Sequence, residues 1–139
     1  MAVFPDYSEE HFLCDVKKWV DGGGSAKVVR PQDGYSLLHQ AAEFQDVAAI
    51  EYLIEAGCDP NQHDIHGQTP LHIAVDSEID AAIQTQGRVE YEATKRLVEL
   101  GAKTDVADNQ GATLIDWVNR YGEMARKRFK EVVCVASDV

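Results

Sequence analysis

The sequence predicts an all-α solenoid of about four helix-pair units joined by short β-hairpin or loop connections. A ten-residue segment that starts at Asp33 aligns with one that starts at His66, at an offset of 33 residues. A shorter third copy of this segment starts at Gln110. The segments that follow also align, residues 49–58 with residues 93–102. A repeat of this length is typical of solenoids, in which each unit buries its apolar face against its neighbours.

The repeat divides the 139-residue chain into the units of one domain. We expect a degenerate first unit over 1–32, a repeat over 33–65, a repeat with an 11-residue insertion over 66–109, a C-terminal cap unit over 110–133 and a short tail over 134–139. Helix pairs are predicted near residues 8–21, 37–56, 71–99 and 114–133. Terminal units of a solenoid are expected to be atypical, because one of their faces meets water.

Particular residue types recur at fixed places in the units. Gly34, Gly67 and Gly111 share a position where a hairpin turn needs a positive φ. Thr69 is placed to cap the first helix of its unit, with Pro70 at the first helical position, where a missing N–H costs little. Apolar residues that recur at helical spacing predict the core between units. They include Leu53, Ile54, Leu71 and Ala74.

The insertion in the third unit lies between Ala74 and Ala93, because the sequence aligns with the second unit on both sides. It falls around residues 77–88 and contains apolar residues, Ile79 and Ile83 among them, beside several acids. We expect it to extend the helices of this unit and to widen a binding surface. We also expect that residues 77–87 can be deleted with the fold left intact.

The segment Thr69-Pro70-Leu71-His72-Ile73-Ala74 matches the signature T-P-L-H-x-A. With this motif and the 33-residue period, the chain resembles the ankyrin-repeat family over roughly residues 10–131. The resemblance implies a concave protein-binding face built from hairpin tips and first helices, and histidines, His39 and His72, that bond to neighbouring backbone. The last unit departs from the motif, with Leu114 in place of the proline and Asp116 in place of the histidine.

The charge of the chain is strongly acidic, with 24 acids against 13 Lys and Arg and a net charge of −11. This balance argues against nucleic acid or an anionic membrane as the partner. Residues 31–87 hold ten acids and no Lys or Arg, which predicts a partner with a basic surface. The N-terminus lacks a secretory signal and no apolar run approaches a membrane span, so we expect a cytoplasmic protein.

Metal sites fit the sequence poorly. His63, His66 and His72 with Asp64 could suggest zinc, but the first two flank a predicted hairpin tip and His72 lies in a predicted helix. Asp76, Glu78 and Asp80 have the alternating spacing of a calcium loop. The glycine and the bidentate glutamate that such a loop requires are replaced by Ala81 and Gly87. We therefore expect no metal and no cofactor.

Catalytic groups are not indicated either. Cys14, Cys58 and Cys134 lack any C-x-x-C spacing or nucleophile signature, and small buried thiols are the expected state. The glycine run 22–24 has no Lys-Ser/Thr at phosphate-loop spacing. The sequence therefore predicts a non-enzymatic protein.

The predicted function is protein–protein interaction through the acidic concave face, by a chain that is monomeric when free. A small acidic chain with an extended helix over 72–80 resembles bacterial immunity proteins, which neutralise a cognate toxin by direct binding. The alternative is a general ankyrin adaptor or regulatory scaffold. The expected partner-binding residues lie on tips, first helices and the insertion. They are Asp33, Tyr35, Glu43, Phe44, Asp46, Asp64, Ile65, His66, Asp76, Glu78 and Asp80.

Overall fold

The computed structural model describes residues 9–87 and 89–131, which form seven α-helices. They are α1 (Phe12–Asp21), α2 (Leu37–Glu43), α3 (Val47–Glu55), α4 (Pro70–Thr85), α5 (Glu92–Glu99), α6 (Leu114–Asn119) and α7 (Glu123–Phe129). A single 3-10 turn, Glu9–His11, precedes α1. No strand forms among these residues, and one isolated antiparallel bridge joins Val29 to Ser36. The predicted all-α solenoid is confirmed.

The helices stack in two rows. The first helices α2, α4 and α6 pack on one another in order, and the second helices do the same, α1 against α3 and α3 against α5. The helices α2 and α3, α4 and α5, and α6 and α7 also pack as pairs. Because α1 packs in the row of second helices, the described part of the first unit contains one helix and a 3-10 turn rather than the helix pair predicted near 8–21.

The core runs through the whole stack between the two rows. Leu38 and Leu71 occupy the same position in successive repeats and are 1% and 0% exposed. Leu53 and Leu97 are the corresponding buried residues of the second helices. A solenoid buries its apolar faces only at contacts between neighbours, so these residues hold one unit on the next.

Each first helix begins with the same capping arrangement. The Ser36 hydroxyl accepts from the backbone N–H of His39, and His39 accepts in return from the backbone N–H of Ser36. The last unit keeps this cap although it lacks the histidine, because the Asp116 carboxylate accepts from the backbone N–H of Thr113 at 3.0 Å. The substitution that departs from the family motif therefore preserves the helix start.

The loops before the first helices touch one another along the stack. The Ile65 N–H donates to the Asp33 carbonyl at 2.7 Å, and the Asn109 N–H donates to the His66 carbonyl at 3.0 Å. Gly67 lies at this second contact with φ 75°, and a Cβ there would stand 2.7 Å from the Asn109 nitrogen. The turn therefore needs glycine both for its backbone conformation and for the close approach of the next loop.

The insertion extends only the first helix of its unit. Helix α4 has 16 residues against 7 in α2, whereas α5 has 8 against 9 in α3. Within the insertion, Glu78 and Ile79 are buried and the Ser77 hydroxyl donates to the Glu43 carbonyl at 2.6 Å. Deletion of residues 77–87 would therefore remove contacts that join α4 to its neighbours, and whether the fold survives this deletion stays a prediction.

Candidate protein-binding surface

Both motif histidines bond to the backbone at the start of their own helix, and His39 also bonds to the next loop. The His39 Nδ1 accepts from the Ser36 N–H, so its Nε2 carries the proton and donates to the Gln68 carbonyl at 2.9 Å. His72 Nδ1 accepts from the Thr69 N–H in the same way. Burial lowers the pKa of both imidazoles, which keeps them neutral near pH 7. These histidines bond to the backbone, as the family resemblance implied.

Asp33 and Tyr35 form the tip of the second unit. The Arg30 guanidinium donates to both Asp33 carboxylate oxygens, at 3.0 and 2.6 Å, and this hydrogen bonding lowers the pKa of Asp33. The Tyr35 ring lies 4.9 Å from the same guanidinium, and its hydroxyl donates to Glu43 at 3.3 Å. Arg30 therefore neutralises the charge of Asp33. This arginine lies just before residues 31–87, the segment without Lys or Arg.

The tip of the third unit is rigid and carries an apolar side chain. The Asp64 carboxylate accepts from the backbone N–H groups of His66 and Gln68, both at 2.9 Å, which fixes the turn. Ile65 is 60% exposed at this tip, and His66 is also exposed. The Ile65 carbonyl accepts from the Asn109 side chain at 2.8 Å, so the neighbouring loops hold this residue from both sides.

Phe44 and Asp46 have structural roles at the turn between α2 and α3. Phe44 is half-buried and packs edge-to-face on Phe12, with ring centroids 5.2 Å apart. The Asp46 carboxylate caps α3 by accepting from the Ala49 N–H at 3.1 Å. Both side chains are only partly exposed, and both stabilise the turn between α2 and α3.

The three acids of the insertion differ in their surroundings. Asp80 is exposed, and Asp76 accepts from the Tyr121 hydroxyl. Glu78 is only 7% exposed, and its carboxylate accepts from the backbone N–H and the hydroxyl of Thr94, at 2.8 and 2.6 Å. The prediction that Glu78 faces a partner is therefore wrong, because this carboxylate caps the start of α5.

The structure brings the remaining predicted residues onto two adjoining areas. We call the loops over residues 30–36, 63–68 and 107–112 the loop row, since they touch in sequence along the stack. Beside them, the end of α2 contacts the middle of α4 through Ser77, which places Glu43 near the half-buried Asp76 and near the turn of α4 that carries the exposed Asp80. We call these three acids the acidic strip.

The loop row also contains residues that the sequence did not single out. A groove of about 320 Å³ lies at its end, lined mainly by polar side chains of the third and fourth loops and by Trp117. The Arg120 guanidinium lies 5.6 Å from the Trp117 ring, and the indole N–H donates to Asp108. The third copy of the turn motif at Gln110-Gly111 was the available signal for this part of the surface.

The cysteines are not all buried. Cys58 is buried, donates to the Ala26 carbonyl, and has a pKa raised to about 11 by burial. Cys14 is exposed, which contradicts the expectation of buried thiols for that residue, and Cys134 lies outside the described residues.

Across residues 9–87 and 89–131, no three His, Cys, Asp or Glu side chains gather as metal ligands would. None of the described helices is long and apolar enough to cross a membrane.

Stacked helix pairs joined by hydrogen-bonded hairpin loops define a repeat solenoid whose exposed loops and first helices form a continuous surface. Residues 8–108 match the family model for ankyrin repeats, in three copies. This match covers more than half of the chain, and the chain belongs to the ankyrin-repeat family. Ankyrin repeats are protein–protein interaction modules, and this chain carries such a module.

Several known proteins match part of the chain over its repeats. The chain is 31% identical over 89 residues to the ADP-ribosylation factor GTPase-activating protein AGD4 of Arabidopsis thaliana, over 64% of the chain and 10% of that protein. It is 45% identical over 56 residues to human neurogenic locus notch homolog protein 4, over 40% of the chain and 3% of the relative. The identity to mouse protein phosphatase 1 regulatory subunit 12A is 36% over 66 residues, 48% of the chain and 6% of that protein. The chain thus matches only a small part of each relative.

Proposed function

We propose that the loop row and the acidic strip together bind a partner protein with a basic surface. The observation that carries this proposal is the acidic strip itself, in which Glu43 and Asp80 are exposed and the surrounding segment, residues 31–87, holds no Lys or Arg. Ile65 supplies an exposed apolar side chain on a turn that is already fixed in shape. Preformed apolar contacts lower the entropic cost of binding, and surrounding charges raise the association rate.

In the finer form of this proposal, the chain is an immunity protein that neutralises a toxin by covering its basic cleft. Its acidity and its extended α4 support this reading. A regulatory or adaptor role is the second candidate, and the names of the relatives favour it, since one is a GTPase-activating protein and another a phosphatase regulatory subunit. Expression of the partner in cells with and without the chain separates the two: toxicity that the chain suppresses supports immunity, and a partner that is not toxic by itself supports the regulatory or adaptor role.

The partner is first captured with the purified chain, and its association rate is then measured by stopped flow at increasing salt. Reversal of the two exposed acids, in Glu43→Lys with Asp80→Lys, should slow association about tenfold at low salt and much less at high salt. Asp46 and Glu78 are unsuitable for this test because they cap helices.

Glu55→Lys with Glu99→Lys is the matched control, because both are exposed acids on the second helices α3 and α5, outside the acidic strip and the loop row, and the change in charge is the same. This double reversal should change the association rate by less than about twofold. Equal slowing by the control and by the reversal of Glu43 and Asp80 would show that only total charge matters. An association rate that is flat from low to high salt would contradict the proposal that charge guides the partner.

A further inference from the structure

An apolar groove of about 560 Å³ lies between the end of α4 and α7, lined by no residue of the loop row or the acidic strip. Ile79 and Ala82 of α4 form part of its floor. Ile83 on one side is 57% exposed and Met124 on the other is 88% exposed. Large apolar side chains clustered in a concave surface are commonly covered by another segment or molecule.

The walls of the groove are held in place by buried contacts. The Tyr91 hydroxyl donates to the Ala125 carbonyl at 2.9 Å, and the Tyr91 ring meets Phe129 edge-to-face at 5.6 Å. On the rim, Arg128 donates to the Val89 carbonyl at 3.0 Å and pairs with Glu90 at 2.6 Å. These bonds join α7 to the end of the insertion, so the groove has a defined shape without any occupant.

The sequence next to the groove supplies an occupant of matching chemistry. Glu131 lines the groove, and it is followed directly by Val132-Val133-Cys134-Val135-Ala136, five consecutive apolar residues outside the described part of the chain. We propose that residues 132–136 turn back after Glu131 and cover the groove, with their side chains against Ile83 and Met124.

The reach of the segment is sufficient. If the backbone is helical, Met124 lies about 10 Å along the helix axis from Glu131. When two of the five residues form the turn, the other three still extend about 10 Å. The segment is also tethered at the groove, and a short tether gives an effective concentration in the millimolar range, which favours this occupant over a separate molecule.

Alkylation of the cysteines, followed by mass spectrometry of the full-length chain, tests the proposal. Cys14 is the exposed reference and Cys58 the buried one. For each thiol, the alkylation rate in the native protein is divided by the alkylation rate in urea. This ratio removes differences in intrinsic reactivity between the thiols. Cys134 should be protected at least about tenfold relative to Cys14, and the protection should be the same at low and high protein concentration.

Ile83→Asp places a charge in the groove and should bring the alkylation rate of Cys134 to within about twofold of that of Cys14, while Cys58 stays protected because the fold is intact. Ile65→Asp is the matched control, since Ile65 is similarly exposed but lies on a hairpin tip. It should leave the protection of Cys134 unchanged.

A second experiment probes the contact directly. In a Cys14→Ser background, Ile83→Cys should form an intramolecular disulfide with Cys134 under a mild oxidant, and Ile65→Cys should not. Alkylation of Cys134 as fast as Cys14 in the unaltered chain would overturn the proposal. Protection that appears only at high protein concentration, together with a dimer by light scattering, would assign the groove to a second copy of the chain and would overturn it equally.

Discussion

The second helices of the two central repeats receive their N-terminal caps from different places. In the repeat 33–65, Asp46 directly precedes α3 and its carboxylate accepts from the Ala49 N–H at 3.1 Å. In the repeat 66–109, the residue before α5 is Tyr91, which has a left-handed backbone with φ 54° and provides no side-chain cap. There Glu78 of α4 supplies the carboxylate, accepting from the Thr94 N–H at 2.8 Å.

This difference shows how the solenoid accommodates an insertion. The short turn that contains Asp46 is replaced in the next repeat by an added length of α4 and a longer connection. The added helix brings Glu78 to the start of α5, so a contact distant in sequence replaces a local one. Burial raises the pKa of the Glu78 carboxyl, which indicates that the charged form is less well solvated than an exposed cap would be.

The largest expected effects lie where the two repeats are alike. Leu71→Ala and Leu38→Ala each remove a fully buried side chain at a contact between units, and each should lower the free energy of unfolding by about 2–5 kcal/mol. Urea denaturation followed by circular dichroism measures both. Ile65→Ala, at an exposed site, should cost less than about 0.5 kcal/mol. A cost below about 1 kcal/mol at either leucine would show that the repeats do not share one core.

The turn glycines of the two central repeats differ in how closely the next loop approaches them. Gly34 and Gly67 have similar positive φ, but a Cβ on Gly34 would lie 3.4 Å from its nearest neighbour, whereas one on Gly67 would lie 2.7 Å from the backbone nitrogen of Asn109. Gly34→Ala should therefore cost about 1 kcal/mol for the left-handed backbone alone. Gly67→Ala should cost about 1–2 kcal/mol more, because the next loop must also move. Equal costs in thermal denaturation would contradict the close contact of these loops.

The two helix caps give a smaller difference. Glu78→Ala leaves buried donors of α5 without their acceptor and should cost about 1–3 kcal/mol. Asp46→Ala removes a half-exposed cap and should cost about 1 kcal/mol. Hydrogen exchange of the α5 amides should report local opening in the first variant only. Equal protection of α5 with and without Glu78 would mean that this helix is held by packing alone.

Both central repeats contain a buried motif histidine, and these histidines should make the fold less stable at acidic pH. The pKa values of His39 and His72 are lowered by burial, so the unfolded chain takes up protons below about pH 6.5 while the folded chain does not, and stability falls as the pH decreases from there. Glu78 acts in the opposite sense because its pKa is raised. The Glu78→Gln variant lacks this opposing effect, so its free energy of unfolding should be lower at pH 5.5 than at pH 7.5. The difference should be larger than in the unaltered chain. Greater stability at pH 5.5 in this variant would contradict the prediction.

Much of the molecule could be predicted because its signals are local and repeated. The turn glycines, the Thr69-Pro70 helix start and the motif histidines each act within a few residues, and the structure places them as expected. Which of the acids reach solvent was harder to predict. Whether an acid such as Asp46 or Glu78 faces solvent or caps a helix depends on which backbone N–H groups come near it after folding, and composition does not contain that information.

The sequence by itself determined the repeat, the all-α stack and the acidity of the central units, because period, helix caps and charge are properties of short segments. Only the tertiary structure decided that Glu78 is buried at the start of α5. It also decided that the insertion meets α7 to form a groove. The physical reason is that these features depend on contacts between residues far apart in the chain, where about two and a half added turns of helix change which groups can meet.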